Sequence, residues 1–317
     1  MESISTDPRL EWFQLQPGVE FQVMKFGSPP ATSSMDPVDS PSDNLMFLVI
    51  PGNPGVVGYY EKFMATLYQK SNQKIPVWGI SHTGHVSRPS EGSHNGVYSL
   101  QDQIEHKLAF LHHHIPKNVS LILIGHSIGC YMILNMLKKT SHNNILRCFF
   151  LFPTIERMSS SPQGKVVTPF LKLFRWILLL FVYFMSFLPL KSKQRILCWY
   201  FKDEVKYPRC IYASSLNLFD VSCVNNMISM ASQEMDMVKE LDSCTISKNL
   251  HKICFYYGRK DRWCPLNYCD DMKKHFPKAN IRVCQEGFEH AFVITDSERM
   301  ADITWEWMQC ELQHSSD

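Results

Sequence analysis

The residues of this sequence best suited to covalent chemistry are Gly125-His126-Ser127-Ile128-Gly129, which match the pattern G-x-S-x-G. The apolar run SLILI precedes this pattern, and the helical pattern IGCYMILNMLKK follows it. A strained strand-to-helix turn projects the serine hydroxyl and requires small neighbours, and the helix N-terminus favours a nearby anion. The context predicts that Ser127 is a nucleophile; the alternative is a serine that caps an ordinary strand-to-helix turn.

Two further polar residues follow later strands in the order nucleophile, acid, histidine. Asp261 comes directly after the apolar run KICFYY, and His290 comes after the last predicted strand. Both therefore lie at the carboxyl ends of strands, where open α/β sheets bind ligands. Asp270 and Asp271 are alternative acids, but they begin a predicted helix. The sequence thus favours Asp261 as the acid that orients His290 and His290 as the general base.

An oxyanion hole needs two backbone N–H donors that are already in position. One is expected from Ile128, the residue after the nucleophile. The other is expected from the loop Pro51-Gly52-Asn53-Pro54-Gly55, which follows the apolar run LMFLVI. Because proline has no N–H, Pro54 is excluded and Asn53 is the candidate donor. The alternative is a turn of proline and glycine without a function.

The elements that must position these residues alternate between apolar runs and helical patterns, which is typical of an α/β sheet covered on both faces. Helices are expected after the 51–55 loop and over 99–114, 128–139 and 297–310. Strands are predicted at 18–26, 45–50, 75–80, 120–124, 147–152, 252–257 and 280–284. The alternation breaks over 154–250. We therefore expect a core formed by 1–153 and 251–317, with 154–250 inserted as a helical cap.

One segment of the cap, 166–190, is strongly apolar and aromatic. Its 15 residues from Trp176 to Leu190 carry no charge, and as a helix they would extend about 22 Å, short of a 30 Å hydrocarbon core. Between Lys165 and Cys210, nine Lys and Arg residues face two acidic residues, a net charge of +7. A hairpin or an interfacial helix on an anionic lipid surface fits this pattern. A lid helix packed on the core is the alternative.

Composition sets further bounds on the function. The chain has 317 residues, 45% of them hydrophobic, and a formal net charge of +2, which gives no reason to expect a nucleic-acid partner. Eleven cysteines without a C-x-x-C pair fit a reducing compartment and make a zinc site improbable. The adjacent residues His112, His113 and His114 cannot share one helical face, so no metal is expected. The N-terminus lacks the pattern of a secretory signal peptide.

Taken in order, the segments VIPGNPG, ISHTGH, IEHKLAFL, LIGHSIG, LFPTIERM, FYYGRKDRWCP and HAF resemble the α/β-hydrolase superfamily over nearly the whole chain. More narrowly, the sequence resembles the lipid droplet-associated hydrolase family. LFPTIERM combined with GHSIG is much more specific than the serine motif alone. The triad implied by the resemblance falls on Ser127, Asp261 and His290. Pro51 departs from many hydrolases, in which a histidine often precedes the glycine of the oxyanion loop.

The resemblance implies a serine hydrolase of lipid esters, with cholesteryl esters as the proposed substrates and sterol and triglyceride balance as the proposed role. It implies action at the lipid droplet and endoplasmic reticulum, on the cytosolic face, without a cofactor. Two alternatives stay open: a droplet-surface or tethering protein with little catalysis, and an acyltransferase with the same triad. The oligomeric state is also left open.

Overall fold

The computed structural model describes residues 7–29, 44–88, 96–139, 144–201 and 208–313. Within these ranges the chain forms one eight-stranded sheet and ten α-helices. The strands are β1 (Arg9–Gln16), β2 (Val19–Phe26), β3 (Leu45–Ile50), β4 (Val77–Ile80), β5 (Ser120–His126), β6 (Ile145–Leu151), β7 (Ile253–Tyr257) and β8 (Asn280–Val283). The helices are α1 (Glu61–Lys70), α2 (Leu100–His114), α3 (Ile128–Lys139), α4 (Gly164–Ser186), α5 (Leu190–Tyr200), α6 (Arg209–Ser215), α7 (Val221–Met237), α8 (Ser243–Asn249), α9 (Leu266–His275) and α10 (Ser297–Gln313).

The sheet has the strand order β1-β2-β4-β3-β5-β6-β7-β8. β2 pairs antiparallel with both β1 and β4, and the strands from β4 to β8 are parallel. In the parallel part, Ile50 of β3 lies beside Gly125 of β5, and Leu151 of β6 lies beside both His126 and Tyr256. The loops that follow β3, β5, β6 and β7 therefore leave the sheet at one edge.

Helices cover both faces of the sheet. In β4, Trp78 approaches Phe110 of α2, with ring centroids 6.3 Å apart. At the next residue, Gly79, a Cβ atom would point at Met64 of α1, 2.8 Å from its sulfur. Since successive side chains of a strand point to opposite faces, α1 and α2 cover opposite faces. The strand β3 is buried at every position, as expected for a strand covered on both sides.

The segment between β6 and β7 contains α4 to α8 and, in its described part, no strand. Helix α4 packs on α7 through a small apolar cluster that is separate from the main core. Beside this cluster, Nη2 of Arg175 donates to Oδ1 of Asn225 at 2.8 Å and to Oγ of Ser229 at 2.7 Å. The cluster joins Leu171, Leu179 and Val182 of α4 to Val224 and Ile228 of α7.

The opposite side of α4 and much of α5 expose large apolar side chains, which together we call the apolar cap face. Trp176 is 76% exposed and Leu173 is 71% exposed. Of the described residues, only α4 forms a helix long and apolar enough to cross a membrane, and little of it is buried. The full face comprises Val166, Phe170, Leu173, Phe174, Trp176, Ile177, Leu180, Phe181, Tyr183, Phe184, Phe187, Leu190, Ile196, Trp199 and Tyr200.

The seven predicted strands are confirmed, with ends that move by at most two residues. The strand β1 was not predicted, because its pattern RLEWFQLQ does not alternate cleanly and its side chains are only partly buried. The length of α4 was underestimated from the charge-free stretch. The helix begins at Gly164, before that stretch, and its 23 residues extend about 34 Å. A loop was also predicted at 28–44, and 30–43 of it lie outside the described residues.

Candidate active site

The turn between β5 and α3 places Ser127 in the left-handed region, with a φ of 54°. Such a conformation is strained for a residue with a side chain, and it is typical of a nucleophile that is projected from the sheet. A Cβ atom on Gly129 would lie 2.2 Å from the carbonyl oxygen of Ile50, and one on Gly125 would lie 2.9 Å from the backbone nitrogen of Cys130. Both glycines are therefore required by close packing around the turn.

Ser127, His290 and Asp261 form one hydrogen-bonded array. Nε2 of His290 lies 2.8 Å from Oγ of Ser127, and Nδ1 of His290 lies 2.7 Å from Oδ2 of Asp261. Ser127 and Asp261 are buried, while His290 is partly exposed. The structure brings together the three residues that were predicted as nucleophile, base and acid. A further hydroxyl, Oγ1 of Thr154, lies 3.4 Å from Oγ of Ser127 and was not predicted.

The carboxylate of Asp261 has both oxygens engaged. Oδ1 accepts the backbone N–H groups of Trp263 at 2.7 Å and Cys264 at 3.2 Å, and Oδ2 accepts the Cys264 thiol at 3.0 Å. Burial acts to raise the pKa of Asp261, but the neighbouring His290 and these hydrogen bonds outweigh it and hold the pKa below its ordinary value. The ionised carboxylate keeps the proton of His290 on Nδ1, so Nε2 is free to accept the hydroxyl proton of Ser127.

The loop of residues 51–55 after β3, which is predicted to supply an oxyanion donor and is called the oxyanion loop below, lies against Ser127. A Cβ atom on Gly52 would be 3.0 Å from Cβ of Ser127. Asn53 is the next residue, and its side-chain Nδ2 donates to the carbonyl oxygen of Met227 and to Oε1 of Glu234, each at 3.0 Å. Ile128 is the first residue of α3, where a backbone N–H has no acceptor within the helix. Of the two predicted donor residues, Ile128 directly follows Ser127, and Asn53 directly follows the glycine that lies against Ser127.

A chain of hydrogen bonds fixes the loop, the turn and the base relative to one another. The Gly52 N–H donates to the hydroxyl oxygen of Tyr60 at 2.8 Å, and that hydroxyl lies 2.6 Å from Nδ1 of His126. Nε2 of His126 lies 2.8 Å from the carbonyl oxygen of His290, which can only accept. Nε2 therefore carries the ring proton, and Tyr60 donates to Nδ1. Burial and the charge of nearby His290 lower the pKa of His126 to about 3, which keeps the ring neutral.

Sequence reasoning missed the hydrogen bonds that link Gly52, Tyr60, His126 and His290. Nothing in the sequence distinguishes Tyr60 from an ordinary core residue in the helical pattern after the 51–55 loop. In the structure, the ring of His126 faces Tyr60. The presence of a histidine inside a strand-to-helix turn was the one signal that could have led to the hydrogen-bond chain.

Three basic side chains are buried behind the oxyanion loop. The backbone N–H of Gly55 donates to Nδ1 of His85 at 3.0 Å, and the carbonyl oxygen of Gly55 accepts from the backbone N–H of His82 at 2.7 Å. Burial and the charge of nearby Lys107 lower the pKa values of both histidines. Burial also lowers the pKa of Lys107 to about 7, and its Nζ has no hydrogen-bond partner among the described residues. These residues belong to the segments ISHTGH and IEHKLAFL.

The alternative acids and the adjacent histidines lie away from the nucleophile. Asp270 is exposed on α9, and the carboxylate of Asp271 pairs with Nη1 of Arg157 at 2.9 Å. His112, His113 and His114 occupy the last turn of α2, on a helix that does not follow β5 or β7. None of these side chains is hydrogen-bonded to a member of the Ser127 array in the described structure.

Asp261, Cys264 and His290 also offer three potential metal ligands, whose donor atoms lie within 4.8 Å of one another. The nitrogen of His290 that faces this group carries a proton toward Asp261. Burial raises the pKa of the Cys264 thiol, and the charge of Asp261 raises it further, so the ligand thiolate is disfavoured. The protonation of the three groups therefore matches a hydrogen-bonded acid and histidine better than a metal site.

A cavity of about 390 Å³ opens along the oxyanion loop and His126, the residue before Ser127, and extends toward the cap. Its exposed rim includes Tyr200 at the end of α5 and Leu218 between α6 and α7. Because Tyr200 also belongs to the apolar cap face, the cavity adjoins that face. The cavity is lined by Gly52, Asn53, Pro54, Tyr59, Tyr60, His126, Tyr200, Phe201, Ser215, Leu218, Ala291, Val293 and Ile294.

Residues 43–293 match the family model described as lipid-droplet associated hydrolase. A lipid droplet-associated hydrolase of Gallus gallus is 42% identical over 98% of this chain and 99% of its own length. One of Homo sapiens is 39% identical over 93% of this chain and 94% of its own. The solved structure of 2-hydroxy-6-oxo-6-phenylhexa-2,4-dienoate hydrolase from Rhodococcus sp. strain RHA1 is similar in fold, with a TM-score of 0.62, 14% identity, and coverage of 96% of this chain and 99% of that one.

The mostly parallel sheet, its helices on both faces and the serine turn after β5 are features of an α/β-hydrolase fold. The family model covers more than half of the chain, and the identity to the curated relatives extends over nearly all of it. This chain therefore has an α/β-hydrolase fold and belongs to the lipid droplet-associated hydrolase family.

Proposed function

We propose that this chain is a serine ester hydrolase that cleaves lipid esters at the lipid droplet surface. The observation that carries the proposal is the hydrogen-bonded array of Ser127, His290 and Asp261 on a strained turn at the carboxyl end of β5. An activated nucleophile needs a base within hydrogen-bond reach and a third group that orients the base. The 2.8 Å and 2.7 Å separations meet both requirements.

In the first half of the reaction, Oγ of Ser127 attacks the ester carbonyl carbon while Nε2 of His290 takes its proton. The backbone N–H groups of Asn53 and Ile128 stabilise the oxyanion that forms. The carbon–oxygen bond to the alcohol then breaks, and His290 returns the proton to the leaving alkoxide. The alcohol departs and the acyl group stays on Ser127.

In the second half, water attacks the acyl-enzyme and gives a proton to His290. Collapse of the second tetrahedral intermediate releases the fatty acid, and the proton returns to Oγ of Ser127. Asp261 stays ionised throughout and stabilises the imidazolium form of His290. An alcohol in place of water would give acyl transfer by the same residues, so product analysis with added alcohol separates these two activities.

The proposed substrate class is esters with large apolar groups, cholesteryl esters among them. The cavity along the oxyanion loop is lined mainly by aromatic and aliphatic side chains, as is usual for apolar ligands. Since its rim shares Tyr200 with the apolar cap face, one arm of a lipid ester can fill the cavity while the rest stays in the lipid. Comparing hydrolysis of cholesteryl oleate, triolein and a short soluble ester tests this substrate class.

The apolar cap face is the proposed contact with the lipid monolayer of a droplet or with the surface of the endoplasmic reticulum. Monomeric proteins rarely expose apolar patches this extensive without a partner. The basic residues Lys165, Lys172, Lys191 and Arg195 are exposed on the same helices and suit anionic phospholipid headgroups. The stripe of α4 that packs on α7 is held by Arg175, which favours a helix lying in the interface over one that crosses the membrane.

Fluorophosphonate labelling tests the nucleophile. We expect the wild-type chain to be labelled and Ser127→Ala to lose the label and the hydrolysis of a soluble ester. The control Ser247→Ala removes an exposed serine of α8 and should be labelled like the wild type. Equal labelling or equal ester hydrolysis in Ser127→Ala would contradict the assignment.

Flotation with phospholipid-coated triolein emulsions tests the lipid contact. The variant with Leu173→Ser, Trp176→Ser and Leu180→Ser changes three exposed residues on one side of α4. It should bind about 1,000-fold less, since each substitution loses about 1.5 kcal/mol of apolar burial. Leu10→Ser, on the edge strand β1, is the matched control because Leu10 is 52% exposed. Unchanged flotation of the triple variant would refute the contact.

A second function, tethering or remodelling of droplets with little catalysis, is favoured by the extent of the apolar cap face. It predicts that droplet size and clustering change equally with the wild type and Ser127→Ala, and that both lose the effect when α4 carries the three serines. If Ser127→Ala still reaches droplets but has no effect on them, the tethering function is excluded.

A further inference from the structure

Asn53, a predicted oxyanion donor, is held by the cap. Its side-chain nitrogen donates to Glu234 and to the carbonyl of Met227, both on α7. These partners are 181 and 174 residues away in the sequence, and they belong to an element outside the sheet and its connecting helices. The conformation of the oxyanion loop beside Ser127 is therefore tied to the position of α7.

Glu234 is unusual among the acidic residues of the chain. It is only 4% exposed, and the hydrogen bonds that the structure gives its side chain include no cation. A buried carboxyl is destabilising unless it is hydrogen-bonded, and an apolar residue would pack there at lower cost. Burial raises the pKa of Glu234 to about 8, so the group is mainly protonated at neutral pH and accepts from Asn53 through its carbonyl oxygen.

A neutral acceptor at this place has a clear use. The oxyanion loop contains Pro51 and Pro54, whose nitrogens carry no hydrogen and cannot anchor the loop by backbone bonding. Gly52 is anchored by the Tyr60 hydroxyl, and the Asn53 side chain by α7. Oxyanion donors act only when they are already aimed at the developing charge.

We propose that Glu234 is a positioning residue, which fixes Asn53 so that its backbone N–H is directed at the oxyanion formed on Ser127. The inference rests on the proposed hydrolase function. Among the described residues, Glu234 is hydrogen-bonded to Asn53 and to neither Ser127 nor His290, so it acts through Asn53. The cap thereby completes the oxyanion hole of the core.

Three variants and a control test this role. Glu234→Gln keeps a neutral carbonyl acceptor of the same size, Glu234→Leu removes the acceptor, and Asn53→Ala removes the donor side chain. The control Asp236→Asn changes an exposed acid of the same helix. Each protein is assayed with a soluble short-chain ester for kcat and KM, and by hydrogen–deuterium exchange of the peptide containing 51–60.

We expect Glu234→Leu to lower kcat about 10-fold or more with KM within about twofold, and to speed exchange in 51–60 selectively. Removal of an oxyanion donor outright lowers kcat by about 100-fold or more, so a misdirected donor falls below that limit. Glu234→Gln and Asp236→Asn should match the wild type. Asn53→Ala should lose at least as much as Glu234→Leu, because it also removes the hydrogen bond to the Met227 carbonyl, and the double variant should lose little more than Asn53→Ala.

Wild-type kcat and exchange in a folded Glu234→Leu would overturn the proposal. It would also be overturned if Glu234→Gln failed as badly as Glu234→Leu with faster exchange across the whole sheet, since that result describes a purely structural residue. If Glu234→Leu does not fold, Asn53→Ala and Glu234→Gln decide by the same criteria. If the wild type neither hydrolyses esters nor reacts with fluorophosphonate, the hydrolase function fails, and exchange in 51–60 alone decides whether Glu234 positions the loop.

Discussion

Replacing Asp261 with asparagine should prevent His290 from acting as a base, because the ring proton would move from Nδ1 to Nε2. The backbone N–H groups of Trp263 and Cys264 both point at Oδ1, so they select the amide oxygen for that site. The NH2 group must then occupy the site of Oδ2, 2.7 Å from Nδ1 of His290. An NH2 group donates to Nδ1, so the imidazole proton moves to Nε2. Nε2 faces Ser127 and, once protonated, cannot accept the hydroxyl proton.

The size of the loss follows from the alternative rotamer. Turning the Asp261→Asn amide to restore the correct tautomer would leave the two N–H groups of Trp263 and Cys264 unpaired, at about 1–3 kcal/mol each. A total of about 2–6 kcal/mol corresponds to a decrease in kcat of roughly 30-fold to 25,000-fold, at 1.36 kcal/mol per factor of ten. The loss of about 10,000-fold that is typical of this substitution in serine hydrolases with a Ser-His-Asp triad lies within this range.

The assay is the hydrolysis of p-nitrophenyl butyrate at neutral pH by the wild type, Asp261→Asn and the control Asp270→Asn, with thermal unfolding to confirm that each is folded. Asp270 is the exposed acid on α9, so its substitution should leave kcat within about twofold of the wild type. If Asp261→Asn retains more than about a third of the wild-type kcat, the carboxylate does not set the tautomer of His290 and the reasoning is wrong.

Three further changes test the surroundings of the site. Lys107→Met should be more stable than the wild type at pH 7 and should lose this advantage toward pH 10. Burial lowers the pKa of Lys107 to about 7 from the value of 10.5 expected in the unfolded chain, so the unfolded state binds more protons between these two pH values. The free energy of unfolding of the wild type, measured with urea, should therefore rise relative to the variant by up to about 1.4 kcal/mol per pH unit across this interval. Tyr60→Phe removes the donor to His126 and should lower kcat by about 10-fold while lowering the free energy of unfolding by about 1–3 kcal/mol; an unchanged kcat would show that this hydrogen-bond chain does not serve the oxyanion loop. Gly129→Ala puts a methyl 2.2 Å from the carbonyl oxygen of Ile50, so soluble yield and melting temperature should fall, and a variant as stable as the wild type would contradict the close packing at the turn.

Much of the core was predictable because its residues obey local rules. Parallel strands such as β3 and β5 are continuous apolar runs, and the residue types in the loop or turn after each strand predict its role in the site. The order of the strands then brings Ser127, Asp261 and His290 to one edge, which is why residues 134 and 29 positions apart in the sequence could be paired in advance.

The parts that escaped prediction depend on contacts between distant segments. Glu234 lies in a helix whose pattern gives no reason to bury an acid, and its partner Asn53 is 181 residues away. Tyr60 and Lys107 occupy helix positions that would suit any core residue, and only the packed structure shows what their polar atoms meet. The strand β1 lies at the sheet edge, where partial exposure blurs the alternation of apolar and polar residues.

Helix α7 contacts both α4, which bears the apolar cap face, and Asn53 of the oxyanion loop. It holds α4 through the apolar cluster and the Arg175 hydrogen bonds, and it holds Asn53 through Glu234 and the carbonyl oxygen of Met227. Excising the inserted helices to obtain a minimal hydrolase would therefore remove the hydrogen bonds that hold Asn53 along with the proposed lipid contact. Likewise, a cap grafted from another hydrolase would need to supply its own acceptor for Asn53. Exchange of these helices between hydrolases, the obvious route to new substrate ranges, is constrained in this chain by the two acceptors that α7 gives to Asn53.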